Sequence, residues 1–179
     1  QTLYFATDAG YVFGMPAAEA AARGPEAAWS CDTRGPVTAP LCVEGDEVLA
    51  ASHSGFLYCM DRVTGNIKWA APHETPLLEA PVATKGRVYQ ARDGDLWCHE
   101  RATGKVLWKV KGGARLVVER DGKSVIASVG GELWTVGASG AVSGRMPMGG
   151  MYCPTNLKDE SIYAVSEDGL VFKLEKGGE

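Results

Sequence analysis

Five cysteines, three histidines and a group of loop carboxylates are the side chains of this 179-residue sequence with the most chemistry open to them. The cysteines stand at 31, 42, 59, 98 and 153, with no two adjacent and no C-x-x-C pair. Zinc held by paired thiolates, or by an H-x-x-x-H pair, therefore has no support in the spacing. Asp95-Leu96-Trp97-Cys98-His99 comes near the C-x-x-C-H signature of covalent haem, but its first position is Asp95 where the thioether chemistry needs cysteine. The odd cysteine count gives no disulfide framework, and only Cys31 with Cys42 or Cys153 stays open as a pair. His53, His73 and His99 are isolated from one another and read as loop or half-buried residues.

Asp93, Asp95 and Glu100, or Glu167 and Asp168, could gather on a rim and hold a cation. Asp-Gly pairs at 93–94 and 168–169 are also what hairpin turns use, and the turn reading is preferred. Asp61 and Glu100 each precede a turn, where a carboxylate can accept backbone N–H bonds. The net charge is −4, and the densest basic group, Lys105, Lys109, Lys111 and Arg115, reads as a solvated face before it reads as an anion site. Nucleic acid is excluded as a partner because no basic patch would neutralise phosphates.

The elements that must position these residues come from a repeat. Gly55 to Trp69, GFLYCMDRVTGNIKW, returns 39 residues later as GDLWCHERATGKVLW, Gly94 to Trp108. Tyr58 falls on Trp97, Cys59 on Cys98, Asp61 on Glu100, Gly65 on Gly104 and Trp69 on Trp108. An aromatic holds one phase at Phe13, Tyr58, Trp97, Trp134 and Phe172, spaced 45, 39, 37 and 38 residues apart. That period suits propeller blades.

Within a unit, apolar runs of four to six residues bounded by Gly, Asp, Ser and Asn read as strands joined by hairpins. Gly65 and Gly104 supply the left-handed position of a tight hairpin. A further apolar segment opens each unit, with proline at Pro40, Pro81 and Pro154, and proline suits the edge of a small sheet. Four antiparallel strands per 40 residues, apolar on both faces, predict radially stacked blades, with the tryptophan ending the third run wedged between neighbours.

The T-G-x-x-x-W ending, preceded by L-Y-C-M-D or L-W-C-H-E, resembles the pyrroloquinoline-quinone-type, quinoprotein-like propeller repeat. Residues 52–69 and 91–108 match it well, and residues 123–144 keep only Gly131, Leu133, Trp134 and Gly140. The first unit keeps Trp29 but lengthens its hairpin through Ala17 to Ala28, an alanine-rich stretch able to form helical turns. The predicted fold is all-β, a β-propeller of four-stranded antiparallel blades, with one region over 1–179. Its repeats run roughly 1–36, 37–77, 78–114, 115–150 and 151–179.

The first set supplies three strands, Leu3–Ala6, Tyr11–Met15 and Ala28–Asp32. The last, Met151–Asn156, Ser161–Val165 and Leu170–Leu174, stops one strand short. The expectation is the C-terminal four to five blades of a longer ring of seven or eight, or self-association that covers the ends. Gln1 to Phe5 does not resemble a signal peptide, and no apolar run is long enough to span a membrane.

The dehydrogenases of this family, as the resemblance implies, hold the quinone with an adjacent, disulfide-bonded cysteine pair, a tryptophan platform and a metal on carboxylate and amide ligands. No such cysteine pair exists here. No catalytic, cofactor-binding or metal-binding residue is therefore assigned, and no cofactor is expected. The named positions, Trp29, Trp69, Trp108, Gly65, Gly104, Tyr58, Trp97 and Trp134, are structural. The preferred function is a non-catalytic scaffold that binds other proteins or further blades, in an extracytoplasmic, periplasmic setting. The alternatives are part of a quinone- and calcium-dependent dehydrogenase whose ligands lie elsewhere, or a propeller appended to a larger enzyme. The Met146-Pro147-Met148-Gly149-Gly150-Met151 run is either a partner contact or a crossover loop filling an irregular gap.

Overall fold

The computed structural model describes residues 2–17 and 28–174, and every segment in it long enough to name is a β-strand. Most of the alanine-rich hairpin, residues 18–27, lies outside the described residues. The chain divides into two compact units, one of Gln1–Gln90 with His99–Lys105 and one of Ala91–Cys98 with Val106–Glu179.

The first unit opens with a three-stranded antiparallel sheet, β1 (Thr2–Ala6), β2 (Tyr11–Pro16) and β3 (Trp29–Asp32). Four strands then run in order through β4 (Cys42–Glu44), β5 (Glu47–Ala51), β6 (Phe56–Asp61) and β7 (Ile67–Pro72). Strand β5 shows why both faces of this sheet are apolar. Val48 and Ala50 point into one cluster with Val12, Trp29 and Tyr58, while Leu49 and Ala51 point into another with Leu57, Trp69 and Leu77. Side chains alternate at a period of two, so a run without a solvent-facing residue must be covered twice.

A further four-stranded sheet consists of β8 (Val82–Ala83), β9 (Arg87–Arg92), β10 (Asp95–Glu100) and β11 (Val106–Lys111). The second unit adds β12 (Gly113–Arg120), β13 (Lys123–Ser128), β14 (Glu132–Val136) and β15 (Val142–Pro147), again in sequence order. A hairpin of β16 (Ile162–Val165) and β17 (Val171–Leu174) follows. Its core joins Val117, Val125 and Leu133 to Cys153, Ile162 and Ala164.

Repeated four-stranded antiparallel sheets of this kind are propeller blades, as the repeat period predicts. Two local expectations need correction. Pro40 and Pro81 precede β4 and β8 instead of lying within them, in keeping with a residue that has no N–H to give a ladder. The strand expected over Met151–Asn156 shrinks to a single bridge, Tyr152 with Val165, and Pro154 lies just past it without a ladder donor.

Candidate functional site

The turns of the repeat and the sheet-to-sheet contacts they make hold most of the chain's polar chemistry. Asp61 ends β6, and its Oδ1 accepts from the backbone N–H of Thr64 (2.8 Å) and Val63 (3.0 Å) and from the Thr64 hydroxyl (3.0 Å). The Thr64 bonds hold its carboxyl below the usual carboxylate range. Gly65 and Gly104 follow, each with φ of 73°. A Cβ on Gly65 would strike the Trp29 ring at 2.5 Å, and one on Gly104 would strike Trp69 at 2.5 Å. Glycine is therefore required twice over, for its backbone and for the indole lying on it.

Trp29 donates its indole N–H to the Arg62 carbonyl (3.1 Å), and Trp69 donates to the Arg101 carbonyl (2.8 Å). Each tryptophan thus leaves the outer strand of one sheet and closes on the hairpin turn of the next. In the second unit, Trp108 lies in the same way against Gly140, whose Cβ would meet it at 2.6 Å. Tyr58 is buried on β6, where the cluster with Trp29 forms. Trp97 carries Lys109 at 4.9 Å and Arg92 at 5.3 Å over its ring, and Trp134 carries Arg145 at 4.6 Å.

A second lock has no signal in the repeat. Glu47, nearly buried on β5, takes the Arg101 Nε–H at 2.6 Å and the Lys68 ammonium at 3.1 Å. The same guanidinium donates to the carbonyls of Thr84 and Glu44, both at 2.7 Å. Arg101 therefore ties the third sheet to the second through Glu47 and Glu44 while holding Thr84 of its own sheet, three bonds from one planar fork that a lysine could not reproduce. No sequence pattern announces it, because the two residues stand 54 apart and meet only on folding.

The candidate cation ligands are spent locally. Asp95 pairs with Lys109 at 2.7 Å and accepts the Gly112 N–H at 3.1 Å, and the Lys109 bond lowers its carboxyl. Among the described residues, no group of three His, Cys, Asp or Glu side chains could hold a metal ion. The basic group expected around residues 105–115 is likewise dispersed, since Lys109 is paired and Arg115 donates to the Cys153 carbonyl and stacks over Tyr152 at 4.0 Å.

All five cysteines are free thiols. Burial pushes those of Cys31, Cys42 and Cys153 up, and burial with Glu47 nearby pushes Cys59 up to about 12. A thiol held protonated is neither nucleophile nor metal ligand. The histidine expectation needs correction. His73 and His99 are fully buried and their rings pack 5.0 Å apart, because folding brings the end of one repeat against a strand of the next. The His99 Nδ1 sits 2.9 Å from the Gly104 carbonyl, and burial lowers its pKa.

The profile of a family described as the outer membrane protein assembly factor BamB matches residues 18–151. No curated protein sequence matches. Among solved structures, BamB from Moraxella catarrhalis is similar over 95% of this chain and 57% of its own, at 17% identity and a TM-score of 0.71. The computationally designed Ika8 protein is similar over 96% of this chain and 54% of its own, at 16% identity and a TM-score of 0.68. The WD40 β-propeller domain of Doa1 is similar over 98% and 61%, at 19% identity and 0.65. The chain thus spans a little over half the length of these structures, which share its propeller fold.

Proposed function

The chain belongs to the quinoprotein-like propeller family described as the outer membrane protein assembly factor BamB, and on that premise we propose that it is a non-catalytic scaffold that holds other proteins. The observation that carries this reading is where its reactive side chains go. Asp61, Glu47, Arg101 and Asp95 are committed to turns and sheet-to-sheet bonds, and burial pushes the thiols of Cys31, Cys42, Cys59 and Cys153 up. What remains for an outside partner is surface. Leu3, Phe5 and Tyr11 on β1 and β2 are 39–48% exposed, and Phe5 stacks on Phe13 at 5.0 Å. Apolar surface of that kind supports a protein contact.

The partners of this reading are other proteins, further blades of one ring of seven or eight, or a second copy. No described helix is long and apolar enough to cross a membrane. An extracytoplasmic location accords with the outer membrane in the family's description. No cofactor takes part.

The test is crosslinking in source cells followed by mass spectrometry of what the protein captures, alongside an assay of quinone-dependent alcohol and sugar oxidation. A reproducible protein partner is expected. Oxidation by the purified protein with no reproducible partner would overturn the scaffold and favour a dehydrogenase.

A further inference from the structure

The fourth sheet omits the tryptophan of its predecessors, and the ladder shows where it would have been. In the second sheet, Cys59 pairs with Trp69 and Met60 with Ile67, so Lys68 is a bulge. In the fourth, Thr135 pairs with Gly144 and Val136 with Val142, so Ser143 is the bulge. Aligned on that irregularity, Gly144 occupies the slot of Trp69, Thr135 that of Cys59, and Met146 that of Ala71. Strands β7 and β11 bury both residues of this face, Trp69 with Ala71 and Trp108 with Val110. Strand β15 exposes both counterparts.

A cleft of about 490 Å³ opens at this slot. Val125, Leu133 and Ile162 give it apolar walls, and the Thr135 side chain stands opposite Gly144. A Cβ added to Gly144 would meet nothing nearer than the Thr135 Oγ1 at 3.7 Å, so the space is free on that side. Arg120 and Lys123, a cross-strand pair, line the mouth against one carboxylate, Asp121. Among the described residues, neither of these cations makes an ion pair, whereas the Arg145 guanidinium rests on the Trp134 ring, on the other face of the sheet. Shape asks for an aromatic ring, and charge asks for an anion beside it.

We propose that this cleft is a docking socket for an aromatic side chain on an extended acidic segment of a partner polypeptide. The ring takes the place above Gly144 that Trp69 and Trp108 fill in their own sheets, and the acidic neighbours face Arg120 and Lys123. A polypeptide suits the place better than a free aromatic acid. Strand β15 is the outer edge of its sheet, so it can accept an added strand alongside. A free ligand would lack those contacts in an exposed cleft, whereas small-molecule sites bury most of their ligand. The assignment rests on the scaffold reading and gives it a partner chemistry.

The test is titration of the 179-residue protein with a fluorescently labelled, acetylated and amidated peptide, Asp-Glu-Trp-Asp-Glu, and its alanine counterpart. The tryptophan peptide is expected to bind roughly tenfold or more tightly than the alanine peptide, the scale of an interface anchor. Gly144→Trp fills the socket and should abolish that binding. Lys123→Glu, at an exposed position of the cleft, should weaken it by about tenfold and flatten its salt dependence. Equal binding of the two peptides, or unchanged affinity in both variants, overturns the socket. Indole-3-acetate binding as tightly as the peptide overturns the polypeptide as its occupant. A cellular partner captured equally by wild type and Gly144→Trp removes the socket and leaves the scaffold, whereas no partner for wild type removes the scaffold itself.

Discussion

The second and fourth sheets have the same strand order and a bulge at the same place, yet they meet their neighbours by different means. In the first unit, Trp69 on the outer strand closes on Gly104 and the Arg101 carbonyl, with Glu47 and Arg101 paired beside it. In the second unit, the outer strand offers Gly144. Contact with the following segment comes from the inner strand: Thr155 donates to the Leu116 carbonyl (2.6 Å), the Asn156 N–H to that of Val117 (2.7 Å), and Arg115 to that of Cys153. Sheets of this fold can therefore be joined from either edge. Dropping the outer tryptophan releases an edge for other use.

The comparison breaks most readily at Trp69. Its indole is 8% exposed and lies on the turn glycine, so Trp69→Ala should cost about 3–5 kcal/mol, the scale of a large core truncation. Urea unfolding would measure it. A loss below about 1 kcal/mol would mean that the outer tryptophan does not join the sheets, since even exposed caps and turns reach that value.

Arg101→Ala should rank next, at roughly 3 kcal/mol, because it strands the Glu47 carboxylate with only Lys68 for a partner. The double variant with Glu47→Ala should recover part of that loss, since no buried charge is then left alone. A cycle showing strict additivity would reduce the pair to a surface ion pair.

Gly144→Trp works in the opposite direction. If the cleft is the slot of a missing indole, filling it should raise stability by about 0.5–2 kcal/mol, the usual yield of cavity filling. Destabilisation would show that the alignment of β15 with β7 by their bulges misplaces the side chain.

The sheets were legible in the sequence because their causes are local. Alternating apolar runs, Asp-Gly and Thr-Gly turns and a recurring aromatic each act within a few residues, and the 37-to-45-residue spacing carries them around. The bond between Glu47 and Arg101 was not legible. Arg101 aligns with Arg62 as a plain repeat position, and only folding shows that one side chain finds a buried carboxylate. The histidine pair was hidden for the same reason, because His73 and His99 occupy different repeat positions and meet only between successive repeats. That residues 123–144 keep little of the repeat was legible, but the tryptophan's slot at Gly144 was not, because the bulge at Ser143 sets the register. What that departure leaves behind required the cleft to be seen.

The smallest effect concerns those histidines and depends on pH. Burial lowers the His99 pKa in the folded protein, away from 6.5 in the open chain, so the unfolded state binds the proton more readily. Stability should hold above pH 6.5 and fall as the pH drops below it, since the side with more bound protons gains from acid. The carboxyls of Asp61 and Asp95 are also lowered by folding, but their contribution is lost only below the ordinary carboxylate range, near 3.8. The two causes therefore occupy separate windows. Urea midpoints measured from pH 7.5 to 5 should decline for the wild type and less for His99→Gln, which cannot titrate. Parallel curves would assign the decline to other groups and leave His99 without a part in it.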